Sequence, residues 1–101
     1  MIAAITTTVS KAADAKNLAQ QLLQLNLVVC AHTEKILSQY NWEGQYYEEE
    51  EFLISFKTSM ENKDKVVKHI EAHHPYDIPY ISYNELAIND SYKIWMQELL
   101  G

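Results

Sequence analysis

Residues 38–58 read SQYNWEGQYYEEEEFLISFKT, and the architecture of the chain follows from how this stretch is read. Trp42-Glu43-Gly44 marks a hairpin tip, because glycine tolerates the left-handed backbone that tight strand connections demand. Beyond the tip, Phe52, Ile54 and Phe56 alternate on one face of a strand predicted from about 46 to 58. Before the tip, Leu27–Tyr40 predicts a second long strand. Its apolar residues Leu27, Val29 and Ala31 keep one phase, and Ile36, Ser38, Tyr40 and Trp42 keep the other. That switch near Thr33–Lys35 predicts a bulge or bend.

Working outward, Ile2–Val9 is a β-rich run of Ile, Thr and Val. Ser10 is its natural successor as an N-cap. From Lys11 to Leu25, Ala15, Leu18, Ala19 and Leu22 recur at helical spacing, and Asn26 is a left-handed stop. Glu61–His73 predicts a second helix with Val66, Val67 and Ile70 inward. Pro75 ends it, and 75–78 forms a corner before Pro79. A last strand is expected within Ile78–Ile88. Asn89 or Asp90 then caps a short helix whose Tyr92, Trp95, Met96 and Leu99 form one apolar face. The order β-α-β-β-α-β plus a terminal helix predicts a single α+β domain over 1–101 with a ferredoxin-like sandwich. The hairpin is longer than so small a domain needs. Its aromatic residues Tyr40, Trp42, Tyr46 and Tyr47 predict a homo-oligomer that covers them.

Composition narrows the function. The 101 residues carry a formal charge of -6 and no block of Lys or Arg, which argues against nucleic acid and anionic membranes as partners. Only Gly44 and Gly101 are glycine, so neither a P-loop nor a dinucleotide fingerprint can be written. The same scarcity forbids a G-x-S-x-G nucleophile elbow, and the expectation is a protein that is not an enzyme. Cys30 is the single cysteine, which rules out an intrachain disulfide. No basic n-region or membrane-length apolar run is present, so the expected location is the reducing cytoplasm.

Four stretches, in order along nearly the whole chain, resemble the CutA (CutA1) family of small divalent-cation tolerance proteins. Ser38–Gly44 matches its S-x-Y-x-W-x-G hairpin and Glu51–Thr58 its E-x-x-[LIM]-x-x-K-T strand. His74–Pro79 matches its H-P-Y-x-x-P corner and Tyr92–Trp95 its Y-x-x-W helix. Cys30 falls where the family usually has a cysteine. The resemblance implies a compact homotrimer whose hairpins extend each sheet into a neighbour, with copper and other divalent or soft ions as ligands. Two positions depart from the pattern. Tyr80 replaces the usual Glu after the second proline, and His32 replaces an Asn that often follows the cysteine.

The candidate metal residues are Cys30, His32 and His74. Cys30 and His32 share a strand face, and a thiolate with an imidazole suits copper or zinc. The plainer reading of Cys30 is a small buried hydrophobe, since two ligands do not make a site. His74 is read as a ligand near a subunit junction or as a helix-end histidine bonded locally. His69 and His73 lie on one helix face and are read as solvated. Glu48–Glu51 alternate on a strand and are read as a solvated arm, with Glu51 as the exception that can face a subunit contact. Tyr40, Trp42, Gly44, Glu51 and Trp95 are assigned to the hairpin and trimer interface. Lys57 and Tyr76 are assigned to a candidate cleft. The leading function is copper-leaning binding by a homotrimer in cation tolerance. The alternatives are a trimeric small-molecule module similar in architecture to PII-type regulators, and a structural platform for a partner protein.

Overall fold

The structure, a computed structural model, describes residues 1–100. Its elements are β1 (Ile2–Val9), α1 (Ala12–Gln24), β2 (Cys30–Trp42), β3 (Gln45–Ser59), α2 (Lys63–His73), β4 (Ile81–Leu86) and α3 (Asp90–Leu100). The four strands form one sheet in the order β2-β3-β1-β4, with every pair antiparallel. This is the expected ferredoxin-like order with an added helix.

Alternation along β1 sorts the two faces. Ile5, Thr7 and Val9 point to the side covered by α1 and α2. There they meet Leu18, Leu22, Val66 and Ile70 together with Ile54 and Phe56 of β3. Ile2 points to the other side, where Val29, Met96 of α3 and the partly buried Cys30 and Tyr92 gather in a smaller cluster. The sheet is therefore covered twice near its base and left open toward the hairpin.

Asn26 stops α1 as predicted. Its φ is 55°, and the N–H groups of Asn26 and Leu27 bond to the carbonyls of Leu23 and Leu22. This is a Schellman closure with Asn at the left-handed position. Ser10 is not the cap: Lys11 holds that place without a side-chain bond. The carbonyl of Lys11 accepts the first helical N–H groups instead.

The predicted bulge is absent. β2 and β3 pair without interruption from Cys30↔Lys57 to Trp42↔Gln45. The change of apolar phase reflects a change of cover. Ala31 packs under the helices. Ile36, Tyr40 and Trp42 lie past the helices' reach and use the opposite face. β2 also starts at Cys30 rather than Leu27, and β4 is shorter than expected, at Ile81–Leu86.

β1 pairs with β3 only as far as Val9↔Phe52. The register pairs from Ile36↔Glu51 to Trp42↔Gln45 thus continue as a free two-stranded arm. At ordinary strand rise the arm is about 20 Å long. It gives the chain its elongated envelope of 47 × 24 × 20 Å. The tip is a two-residue turn with both central residues at positive φ, Glu43 at 50° and Gly44 at 80°. That is the type I′ geometry that matches strand twist. α3 departs from expectation: only Met96 is buried, while Trp95 and Leu99 are exposed beside Ile94.

Candidate functional site

The corner after α2 is built around His74. Pro75 forces His74 into extended geometry, φ -72° and ψ 138°, which swings its ring off the helix axis and onto β1. The N–H of Tyr76 donates to His74 Nδ1 at 3.0 Å, so Nδ1 carries no proton. The proton is on Nε2, which donates to the carbonyl of Thr8 and to Thr7 Oγ1, both at 3.0 Å. The Thr7 hydroxyl in turn donates a hydrogen bond to the carbonyl of Tyr80 at 2.8 Å. Burial is the main cause that lowers the His74 pKa, against smaller opposing pulls from the Thr8 carbonyl, Asp14 and Glu51. The ring is neutral, and both of its nitrogens are engaged.

Tyr76 continues the corner. Its hydroxyl donates to Glu51 Oε2 at 2.6 Å, and Glu51 is buried. Burial, then the Glu51 carboxylate, pushes the Tyr76 phenol up to about 12. Glu51 thereby brings a carboxylate to the corner from β3, although Tyr80 stands where the family pattern has its own. Tyr80 itself is exposed, and its hydroxyl bonds with Ser82 Oγ at 2.7 Å. A cleft of about 860 Å³ lies between corner and arm, lined by Tyr40, Trp42, Glu49, Glu51, Tyr76 and Tyr80 among others. The chemistry of that lining is aromatic and acidic.

Cys30 and His32 occupy a second place, on the sheet face that carries α3. Cys30 Sγ is 3.5 Å from the hydroxyl of Tyr92, whose pKa this contact and burial push up to about 12. The ammonium of Lys57 donates to His32 Nδ1 at 3.1 Å. Lys57 is therefore the neighbour of His32 and not part of the cleft, where Tyr76 alone of the two belongs.

The three candidate metal residues are not brought together. Cys30 stands across from Lys57 and, one strand further, Ala4. His74 binds at Thr7 and Thr8. Rung and strand spacings put these positions on the order of 15 Å apart. No group of three or more His, Cys, Asp or Glu side chains able to hold a metal occurs among the described residues. Within one chain, His74 does not fit a ligand role without losing its corner bonds, and Cys30 with His32 offers two donors. Sequence reasoning missed Thr7 and Thr8 as the partners of His74. The available signal was Thr7 itself, a polar residue in the inward phase between Ile5 and Val9.

The carboxylate run behaves as the alternation requires. Glu48 accepts from Tyr46 at 2.6 Å and Glu50 pairs with Lys35 at 3.2 Å, both exposed, while Glu49 and Glu51 line the cleft. Tyr40 and Tyr47 stack across the arm with centroids 5.4 Å apart. Trp95, itself exposed, packs against Tyr92 with centroids 5.2 Å apart.

The fold and these motifs agree with known proteins. The family model of the CutA1 divalent ion tolerance protein matches residues 3–99. The divalent-cation tolerance protein CutA of Thermococcus kodakarensis is 32% identical over 87 residues, covering 85% of this chain and 84% of its own. The crystal structure of CutA1 from Ehrlichia chaffeensis superimposes with a TM-score of 0.95 at 29% identity, covering 99% of this chain and 95% of that one. CutA from Synechococcus elongatus gives the same TM-score at 31% identity, covering 99% and 90%. From residue motifs to sheet order, the chain belongs to the CutA1 divalent ion tolerance family.

Proposed function

We propose that this protein is a non-enzymatic, copper-leaning metal-binding protein of cation tolerance that works as a homotrimer in the cytoplasm. The free arm supports the assembly. An isolated two-stranded ribbon is marginal in water, and this one exposes Tyr40, Trp42 and Tyr46. A second and third copy would cover them. The pairing of Cys30 and His32 on one sheet face is the observation that supports soft-metal binding. Cys30 Sγ and the His32 ring are the donors, completed by water or by another copy, and Lys57 must release His32 for binding. His74 serves the corner.

Copper titration of the intact protein tests the reading. Saturable binding is expected, and Cys30→Ser with His32→Gln weakens it. Undiminished affinity in that double variant removes these two residues from the account. Light scattering is expected to return three times the 11.7 kDa chain mass. A monomer mass would sink the assembly.

The cleft favours a second reading, a trimeric small-molecule module. A thermal-shift screen separates the two. A large shift with an organic ligand and none with copper supports this second reading.

A further inference from the structure

The outer face of α2 carries an imidazole pair that the corner and the Cys30 region do not use. His69 and His73 are four residues apart and so share a helix face. Their rings lie 4.1 Å apart and nearly parallel, at 20°. His69 Nε2 is 2.8 Å from Gln21 Oε1 of α1. An amide oxygen only accepts, so Nε2 carries the proton and Nδ1 is bare. His73 Nδ1 donates to the backbone carbonyl of His69 at 2.9 Å, which leaves its Nε2 bare. Neither bare nitrogen has a hydrogen-bond partner among the described residues.

This is how ligating histidines are oriented: one nitrogen anchored on a carbonyl, the other free for a metal. His73 is exposed, so an ion has access.

We propose that His69 and His73 form an open divalent-metal chelate on α2, with Gln21 as a positioning residue and Cu²⁺ as the ion held best. Two imidazoles suit copper, nickel and zinc, and copper(II) leads that series in affinity. Water fills the remaining positions, which a tetragonal copper ion accepts more readily than a structural zinc ion with its closed set of four protein ligands. Magnesium and calcium need oxygen donors that this pair does not supply. For the in-plane lone pairs to converge, His73 turns about χ2, a broad torsion, and releases the His69 carbonyl, while Gln21 keeps the His69 ring in place. The site is separate from Cys30 and His32, because α2 covers the opposite face of the sheet.

The test is Cu²⁺ titration of the full chain carrying Cys30→Ser and His32→Gln, followed by calorimetry and electron paramagnetic resonance. One copper per chain with two-imidazole nitrogen splitting is expected. Adding His73→Gln, at an exposed position that leaves the circular dichroism unchanged, abolishes that splitting. Adding Gln21→Leu keeps the splitting and weakens affinity by about tenfold. Absence of binding in the Cys30/His32 background overturns the inference. So does an unchanged signal after His73→Gln. Neither result bears on the Cys30–His32 reading, which the parent protein with and without Cys30→Ser decides.

Discussion

At the scale of single residues, His74 holds three backbone segments with one ring. It accepts from Tyr76, donates to Thr8 and, through Thr7, reaches Tyr80. A proton added to Nδ1 would face the Tyr76 N–H and break the first contact. The sign of the pH effect follows from the lowered folded-state pKa. Between that value and the unfolded value near 6.5, the unfolded chain binds more protons, so stability falls as pH falls through that window. Melting temperature is expected to drop on acidification from neutral pH, and His74→Gln to flatten that slope while lowering stability at neutral pH. The loss expected at neutral pH is on the order of 1–3 kcal/mol, for stranded partners in a partly buried corner. Equal slopes in the two proteins would show that His74 is not the titrating group, leaving His69, whose pKa is also lowered, as the source.

Among the elements, the β2–β3 hairpin has one locally unfavourable residue. Glu43 adopts a left-handed conformation that costs a non-glycine residue on the order of 1 kcal/mol. Asn-Gly is the favoured pair for a type I′ turn. Glu43→Asn is therefore expected to raise the denaturant midpoint, by up to about 1 kcal/mol in stability. Gly44→Ala is expected to lower it, although a Cβ there would meet nothing within 4 Å. The cause is backbone conformation, not crowding. A higher midpoint for Gly44→Ala would contradict the turn assignment. The hairpin was legible in the sequence because glycine, strand alternation and the Trp-Glu-Gly tip agree. Asn26 was legible for the same reason. The even register through Thr33–Lys35 was not, because a change in which face is covered writes the same pattern as a bulge. α3 misled because helical periodicity shows which residues share a face and does not show what lies against it. The His69–Gln21 bond was invisible because it joins residues 48 apart on two helices.

For the whole molecule, the apolar surface is unevenly placed. Tyr40, Trp42 and Tyr46 on the arm, Ile78 and Tyr80 at the corner, and Ile94, Trp95 and Leu99 on α3 are all exposed. Single exposed apolar residues need no account, but groups of them do. Tyr40→Asp with Trp42→Asp places two charges where an assembled arm would be covered. That variant is expected to shift the light-scattering mass toward one chain while the circular dichroism of the sheet remains. An unchanged mass would move the interface away from the arm.

The uninterrupted pairing of β2 with β3 also bears on the order in which the chain folds. That ribbon closes within residues 30–59, through a two-residue turn. β4, in contrast, must find β1 across nearly the whole chain, from Ile81–Leu86 back to Ile2–Thr7. Loop closure makes the first event fast and the second slow. During synthesis the residues of the arm are available to pair before those of the last strand. The β2–β3 pair, with β2 at the edge of the sheet, is the part of the sheet that needs the least chain to close. The Thr7, Thr8 and His74 latch closes last, once Tyr80 arrives to take the Thr7 hydroxyl.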